Sequence, residues 1–474
     1  MRVNRLIVVL VVVIVINSPY AGAQSSSANP GWSTPIAPYV SEASGSVLDA
    51  NGASVTLRTA QAPTGPNAFG SISMRLPAAE HRLHRVTLTA DLSSTDVSGG
   101  ASLWIRVDSA TGAMLSLDNG TADMLKGTAT GSRSVTALVP ADAATIVVGA
   151  LLRGAGAMTA RNVRLSSSAP DSTKPMSPEA AAVLDTAIKE VKDKALKAPS
   201  VDWATVEPAV RAFAAGASKT SDTYPAIRYL LSSLGDRHSS LMPPAQTTEF
   251  TTGAVQNPPP DVKALPDRVG YISVPGYSGG ELQSMQAYTR RTHELLVATV
   301  PSVACGWVVD LRQDTGGNMW PMLGGLKPFL GDAGLGAFEG RSGKGQPWIA
   351  GQGIFIAPAA TLNALEKSWV AVLTGPRTVS SGEAVTISFR GRPRTRSFGQ
   401  NTAGLSTANS NVRLPDGSMM LLTTAIELDR NGNRYGDVIT PDEVIPAEPA
   451  GAAEDRVLKA AIAWLRDSSG CAVK

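Results

Sequence analysis

The chain has 474 residues, enough for two or three domains that each bury a core. Its 42 Lys and Arg residues nearly balance 39 Asp and Glu residues, and no segment concentrates the basic ones, which argues against a nucleic-acid partner. Charged residues make up only 17%, and 45 glycines and 32 prolines are present, which is typical of a globular protein with many turns and excludes a disordered or coiled-coil chain.

The first 23 residues have the pattern of an export signal. Arg2 and Arg5 precede an apolar run, Leu6 to Ile16, and the small residues Ala21 to Ala23 suit a cleavage site. The alternative is a membrane anchor, but this run is short for a bilayer. We therefore predict cleavage near Gln24 and a periplasmic or secreted protein, with membrane attachment only through an uncleaved signal segment.

Residues 32–165 alternate apolar and polar positions between frequent Gly, Asn and Asp turns, which predicts an antiparallel β-sandwich. The runs "LWIRVDSATGAMLSLDN" and "ATIVVGALLRGAG" resemble jelly-roll modules similar to galactose-binding domains. Such a module is either a glycan-binding domain, with Trp104 or Asp118 as candidate contacts, or a domain that only packs against its neighbour.

Residues 177–250 are predicted to form a small helical bundle. Three segments repeat apolar residues at helical spacing, Ser177 can cap the first, and Pro178 suits its first position. The bundle ends in the polar loop "LGDRHSSL", which contains His238.

Residues 267–474 change to short apolar strands alternating with helices, which predicts an α/β core. A hairpin and an amphipathic helix follow, so the fold class is multidomain α+β. Cys305 lies in one predicted buried strand, and it is interpreted either as a buried free thiol or as the disulfide partner of Cys471. No metal site with cysteine spacing is present, only four histidines exist, and no metal or cofactor is predicted.

Two serines compete as the candidate nucleophile. Ser278 in "GYSGG" fits the G-x-S-x-G pattern of α/β-hydrolases, but those enzymes need a later acid and then a histidine. The only histidine after it is His293, on the helix that follows at once, so we interpret this stretch as a turn.

The second stretch is "TVSSGEAV", which follows a buried strand and begins a helix. A serine there lies at the positive end of the helix dipole, which would stabilise a negatively charged tetrahedral intermediate. The alternative is that Ser380 and Ser381 only cap the helix. The loop "DLRQDTGGN" ends in Gly316 and Gly317, whose N–H groups could supply a second oxyanion donor.

These pieces resemble the tail-specific (C-terminal processing) serine peptidases. The shared order is D-x-H-S, G-Y-I, D-L-R-x-x-x-G-G, T-x-S-S-G-E, S-F-G and P-D, and it covers about residues 180–467. The resemblance implies an exported serine peptidase in which Ser380 is the nucleophile and Ser381 supplies a backbone N–H.

Gln400 stands where many members of this family have a catalytic lysine. The chain therefore resembles the histidine-base branch, which includes nisin-resistance peptidases and the tricorn-type core. This resemblance assigns the base to His238 and implies that Glu383 orients the histidine or the substrate. It also implies that Asn318 and Met319 shape the cleft for a peptide or protein substrate. A histidine base predicts activity that rises with pH through roughly 6–7.

The family often carries a PDZ domain before its core strands, but here only the linker 251–266 occupies that place, so none is evident. The alternatives are a catalytically inactive exported protein that binds peptide or glycan, and an esterase that uses the same two residues. A third stretch, "DRNGNRYGD" (429–437), has some likeness to a calcium loop, but Arg434 replaces the required glycine and a hairpin turn is predicted instead.

Overall fold

The computed structural model describes residues 31–471, except 34, 36, 62–67, 113, 171–172, 253–256, 333, 349–355 and 447–453. The predicted export signal lies outside the described residues. No helix within the described ranges combines the length and the apolar character needed to cross a bilayer.

The first part of the chain is all β, and every strand pair in it is antiparallel. Its strands are β1 (Tyr39–Ser44), β2 (Ala53–Thr59), β3 (Phe69–Pro77), β4 (Arg85–Ser109), β5 (Met114–Asp118), β6 (Leu125–Leu138), β7 (Ala143–Arg153) and β8 (Ala157–Ser168).

The eight strands form one hydrogen-bonded sheet, and the 25-residue strand β4 changes its partners along its length. Its first half pairs with β6 and β8, whereas its second half pairs with β5 and β7. The change of partners falls near Gly100, where φ is 141° and the register with β6 shifts. Side chains from both halves, such as Leu88 and Ile105, share one apolar core. The identification of this domain as a jelly roll stays a prediction.

The two candidate glycan contacts in this domain, Trp104 and Asp118, already have bonding partners within the protein. Trp104 is 3% exposed and its indole N–H donates to Ser71. Asp118 forms an ion pair with Arg228 of the next domain, at 3.0 Å. These contacts favour a packing role for both residues.

The next part contains the three predicted helices. The elements are α1 (Pro178–Lys194), α2 (Trp203–Ala214), α3 (Tyr224–Ser232), β9 (Ser240–Met242) and α4 (Pro244–Thr252). Ser177 caps α1 as expected, because its side chain accepts the Ala180 N–H at 3.1 Å. The loop between α3 and β9 carries His238, and Leu234 and Leu241, which flank this histidine in the chain, lie in the apolar core shared with these helices.

The last part contains two sheets and four helices. In chain order its elements are β10 (Asp261–Ala264), β11 (Gly270–Ser273), α5 (Leu282–Thr299), β12 (Trp307–Asp310), α6 (Met319–Leu330), β13 (Ala337–Gly340), β14 (Gly345–Pro347), β15 (Val370–Thr374), α7 (Ser381–Phe389), β16 (Thr395–Gly399), β17 (Thr407–Arg413), β18 (Met419–Leu428), β19 (Glu443–Val444) and α8 (Arg456–Ser469).

One sheet has the order β10-β11-β12-β15-β16-β19, and all its pairs except β10–β11 are parallel. Both of its faces are covered, as the continuous apolar strands predict. In β15, Val370 and Val372 pack on the side of α5 and α6, whereas Ala371 and Leu373 face α8. The mixed α/β multidomain class is thus confirmed, whereas the absence of a PDZ domain stays a prediction.

Helix α8 is tied to this sheet at both ends. Arg312, in the loop after β12, pairs with Asp310 and with Asp455, the N-cap of α8. At the other end, Cys471 forms a disulfide with Cys305, which decides between the two alternatives left open by the sequence.

The second sheet has the order β14-β13-β18-β17, and β9 pairs with β18. The hairpin formed by β17 and β18 is the one predicted from the sequence. Because β9 pairs with β18, the loop that contains His238 ends on this second sheet. Ser380 instead follows β15, a strand of the parallel sheet.

Candidate active site

Ser380 lies between the carboxyl end of β15 and the first residue of α7. Its backbone has φ 50° and ψ −108°, a left-handed conformation that residues other than glycine rarely adopt. An ordinary N-cap residue lies in the extended region instead. The side chain is 3% exposed. Strained backbone of this kind costs about 1–3 kcal/mol and concentrates at functional sites, which distinguishes Ser380 from a simple helix cap.

Glu383 organises the backbone around this serine. One carboxylate oxygen accepts the Ser380 N–H at 2.7 Å and the Leu405 N–H at 2.8 Å. The other accepts the Thr402 hydroxyl at 2.5 Å and the Gly404 N–H at 2.9 Å. Burial raises the pKa of Glu383 to about 7, while these four donors oppose that rise by stabilising the carboxylate. Its hydrogen bonds within the described residues hold main chain and Thr402, and none of them goes to a histidine.

The segment 402–407 connects Glu383 to His238. Its residues Thr402, Gly404 and Leu405 supply three of the four donors to Glu383. Its last residue, Thr407, has its hydroxyl 2.6 Å from Nδ1 of His238. Arg237, beside the histidine, donates to the carbonyls of Ala403 and Gly404 at 3.1 and 3.3 Å. Residues distant in the chain are thus attached to one short segment.

His238 is only 2% exposed. Its ring atom Nε2 is buried and has no hydrogen-bond partner among the described residues. Its main chain is fixed on both sides: the N–H donates to Asp236 at 2.9 Å, and the carbonyl accepts from Asn409 at 3.1 Å. Burial lowers the pKa of His238 to about 3, so the imidazole is neutral at pH 6–7. The expectation that activity rises through pH 6–7 used the ordinary pKa of histidine, and burial of the ring shifts the expected rise to lower pH.

This depressed pKa predicts a loss of stability in acid. The unfolded chain binds a proton at His238 near pH 6.5, whereas the folded chain does not, so the free energy of unfolding falls as pH drops from 6.5 towards 3. From pH 6.5 to 5 we expect a loss of about 2 kcal/mol from this residue. Urea unfolding at both pH values should show this loss in wild type and a smaller one in His238→Gln. Equal losses in the two proteins would contradict the prediction.

The Gly316–Gly317 loop lies directly against the serine turn. The Asp314 carbonyl accepts the Val379 N–H at 3.0 Å, and the Gly317 carbonyl accepts the Ser381 hydroxyl at 2.5 Å. The Gly316 N–H already has an acceptor within the loop, because it donates to the Asp314 carboxylate at 3.0 Å.

In contrast, the N–H of Gly317 has no acceptor among the described residues. The N–H of Ser381, at the first position of α7, has no acceptor within its helix. Of the two glycines predicted as oxyanion donors, Gly317 is therefore the one with a free N–H group.

Gly317 cannot carry a side chain in this arrangement. Its φ is 117°, and an added Cβ would lie 1.8 Å from the Tyr277 carbonyl oxygen. That close approach comes from the bridge between the two residues, in which Tyr277 donates to the Gly316 carbonyl at 3.1 Å and accepts from the Asn318 N–H at 2.6 Å. The "GYSGG" stretch thus supports the glycine loop as a turn.

Asn318 and Met319 are both 1% exposed. Asn318 caps α6 by accepting the Trp320 N–H at 3.1 Å, and it donates to the Gly279 carbonyl at 2.9 Å. Met319 lies in the apolar core. The two residues fix the shape of the loop from behind, and their role in a cleft stays a prediction.

A cavity of about 330 Å³ opens beside this loop. Tyr277 and Gly279, which both bond to the glycine loop, form one wall, and Glu281 and Arg291 lie on its lining. Ser278 also lines it, and its main-chain N–H and carbonyl are both bonded to Asn257, at 2.6 and 2.8 Å. These two bonds hold Ser278 in the turn that supports the glycine loop, which agrees with its interpretation as a turn residue.

The "DRNGNRYGD" stretch is a turn closed by its first carboxylate. Asp429 accepts the N–H groups of Asn431 and Asn433 at 2.8 and 3.0 Å, and the Tyr435 hydroxyl at 3.1 Å. Within the described ranges, no group of three or more His, Cys, Asp or Glu side chains is placed to hold a metal ion.

Sequence reasoning missed the residues that hold the two candidates in place. These are Thr402, Gly404 and Leu405 around Glu383, Thr407 and Asn409 around His238, and Asp314 under the serine turn. Only Asp314 had a signal, since it lies inside the D-L-R-x-x-x-G-G motif. It is fully buried, one of its carboxylate oxygens has no partner among the described residues, and burial raises its pKa to about 8.

Comparison with known proteins gives a consistent picture. Residues 268–445 match the profile of the family described as Peptidase family S41. The nisin-resistance protein of Lactococcus lactis subsp. lactis is 25% identical over 262 residues, covering 54% of this chain and 80% of that protein. The carboxyl-terminal-processing protease of a Picosynechococcus species is 34% identical over 103 residues, 21% of this chain and 24% of that protein.

A solved structure of a lipoprotein from Streptococcus agalactiae superposes with a TM-score of 0.52 and 24% sequence identity. The match covers 62% of this chain and 98% of that one, and it shows a shared fold. The family resemblance inferred from the motifs is thereby confirmed. Residues 268–445 match the model of peptidase family S41. With this match and the processing-protease relative, the chain is a serine-type peptidase.

Proposed function

We propose that the protein hydrolyses peptide bonds through an acyl-enzyme, with Ser380 as nucleophile and His238 as base. The observation that carries this proposal is the state of His238. Its imidazole is buried and neutral, its Nδ1 is fixed by Thr407, and its Nε2 has no partner within the described residues. A free, neutral Nε2 is the group that a general base needs.

In the first step, Nε2 of His238 takes the proton of the Ser380 hydroxyl while the serine oxygen bonds to the peptide carbonyl carbon. The negative charge that develops on the carbonyl oxygen is stabilised by the N–H groups of Ser381 and Gly317. Return of the proton from His238 to the amine allows the carbon–nitrogen bond to break. Water, activated by the same base, then hydrolyses the acyl-enzyme and restores both residues.

Glu383 supports these steps without touching the substrate. It holds the Ser380 N–H and, through Gly404 and Leu405, the segment that ends at Thr407. The resemblance implied that Glu383 orients the histidine or the substrate. We propose instead that Glu383 fixes the backbone of the nucleophile Ser380.

The proposed place of action is outside the cytoplasm, in the periplasm or as a secreted protein. The predicted export signal supports it, and so does the Cys305–Cys471 disulfide, because disulfides persist in oxidising compartments. A peptide or protein is the proposed substrate.

Cleavage of a diverse peptide pool tests the proposal. Purified wild type and His238→Ala are each incubated with the pool, and new termini are identified by mass spectrometry. Termini that appear only with wild type support the mechanism, and their sequences give the specificity. Matched ester and amide substrates separate a peptidase from an esterase, since only amide cleavage needs a protonated leaving group. Binding of peptides from the pool without cleavage would favour an inactive binding protein. That alternative is open because Gln400 stands where many members of the family have a catalytic lysine.

Gly317→Ala is expected to lower kcat by about 10²–10³-fold, because the added Cβ displaces the proposed oxyanion donor. Gly280→Ala is the matched control: it lies in the supporting "GYSGG" turn, and its Cβ would meet nothing within 4 Å. We expect Gly280→Ala to retain activity. Equal kcat values for the two variants would remove Gly317 from the oxyanion site.

A further inference from the structure

A histidine that acts as a base must present an unprotonated Nε2 to the nucleophile. The proton of the neutral ring then has to lie on Nδ1, and a hydrogen-bond acceptor there selects that tautomer and fixes the ring. In the Ser-His-Asp arrangement a carboxylate is this acceptor. The identity of the acceptor in this protein is therefore a question about a further residue of the site.

The carboxylates nearest to His238 in the bonding network are occupied elsewhere. Asp236 accepts the N–H groups of His238 and Ser239, at 2.9 and 2.6 Å, and the Ser239 hydroxyl at 2.9 Å. Glu383 is surrounded by its four donors. Neither forms a hydrogen bond to the imidazole within the described part of the chain.

The group that does contact the ring is the hydroxyl of Thr407, 2.6 Å from Nδ1. A threonine hydroxyl can accept through its lone pairs, so it can take the Nδ1 proton and leave Nε2 bare. This short contact joins residues 169 positions apart in the chain, and Nε2 is the buried ring atom that stays without a partner in the described residues.

Thr407 is itself held rigidly. It is the first residue of β17 and pairs with Ile426 of β18, and the register shifts just after it, between Ala408 and Asn409. The side-chain NH₂ group of Asn409 donates to the main-chain carbonyl of His238, and its side-chain oxygen Oδ1 accepts the Thr423 hydroxyl at 3.0 Å. Strand β17 thus contacts both the ring of His238, through Thr407, and its main chain, through Asn409.

We infer that Thr407 is the positioning residue of the catalytic histidine, a neutral hydroxyl in the place where other serine peptidases have a carboxylate. The inference rests on the proposed function of His238 and goes beyond it. Without a carboxylate, nothing in the described structure compensates the charge of the imidazolium formed during the reaction at Nδ1. Turnover then depends on the single Thr407 hydrogen bond to keep the ring oriented.

The test compares Thr407→Val, which replaces the hydroxyl by a methyl group, with Thr407→Ser, which keeps the hydroxyl. We expect Thr407→Val to lower kcat by about 10- to 100-fold with KM within about twofold of wild type. Thr407→Ser should stay within about threefold of wild type. If the valine variant does not fold, as judged by urea unfolding, Thr407→Ala takes its place.

A second readout does not depend on activity. ¹⁵N spectra of histidine-labelled protein report the tautomer, and only four histidines have to be assigned. We expect a single Nδ1–H form of His238 in wild type and Thr407→Ser, and a mixture in the variant without the hydroxyl. An unchanged tautomer together with an unchanged kcat would overturn the inference, as would equal losses in the serine and valine variants.

The two proposals can fail separately. If His238→Ala cleaves like wild type, His238 is not the base, and the spectra alone still decide whether Thr407 fixes its tautomer. If His238→Ala is inactive and Thr407→Val is fully active, the base is correct and the positioning role is wrong.

Discussion

Replacing Ser380 with alanine is expected to lower kcat/KM for peptide cleavage by at least about 10⁴-fold, because no other group can form the acyl-enzyme. His238→Ala should cost a similar factor. The double variant should be no worse than either single one, since residues that act as a unit are strongly non-additive. Initial rates on a peptide taken from the pool cleavage, at equal enzyme concentration, measure all three.

The control for this series is Ser278→Ala. Ser278 fits the G-x-S-x-G pattern in the sequence, but its main chain is bonded to Asn257 in the turn that supports the glycine loop. We expect this variant to stay within about threefold of wild type. Full activity in Ser380→Ala, or its loss in Ser278→Ala, would show that the wrong serine was chosen.

The second large effect concerns Glu383, the buried carboxylate that accepts the Ser380 N–H. Glu383→Gln replaces one acceptor oxygen by an amide NH₂ group, which then faces donors instead of accepting from them. Each unsatisfied buried group costs about 1–3 kcal/mol, so we expect a loss of about 2–5 kcal/mol in the free energy of unfolding. Because the Ser380 N–H is one of the four donors, activity should fall by at least about 10²-fold.

Glu427→Gln is the matched control on β18. Glu427 is also buried, at 2% exposed, but one of its carboxylate oxygens has no partner in the described residues. Burial and the neighbouring Glu383 raise the pKa of Glu427 well above its ordinary value, which favours the neutral carboxylic acid, the form that glutamine resembles. We expect a change within about 1 kcal/mol. Urea unfolding of both variants checks the contrast, and equal stability losses would contradict the special role of Glu383.

Much of the fold follows from the sequence because its signals are local. Apolar runs predicted the parallel strands, helical spacing predicted α1 to α3 and α8, and turn residues predicted the β17–β18 hairpin. The change of partners along β4 was harder to predict, because it depends on contacts with β6, β8, β5 and β7 rather than on the pattern of the strand itself.

The residues of the candidate site also differ in whether local sequence signals could predict them. Ser380 and the glycine loop follow buried strands, so their place at a sheet edge could be predicted. The contact of His238 with Thr407 joins the loop before β9 to the start of β17, two strands that are distant in the chain and that both pair with β18. A threonine at the start of a strand has no local feature that distinguishes it from any other strand threonine. The pairing of Cys305 with Cys471 was undetermined for the same reason, since it depends on where α8 ends.

The loop that carries His238 lies ahead of residue 268, where the family-matched region begins, and it reaches the site because β9 pairs with β18. Under the proposed function, the matched region supplies the nucleophile and the segment before it supplies the base. A fragment confined to residues 268–445 is therefore expected to lack peptidase activity, because the proposed base and the strand β9 that anchors its loop both lie outside that fragment.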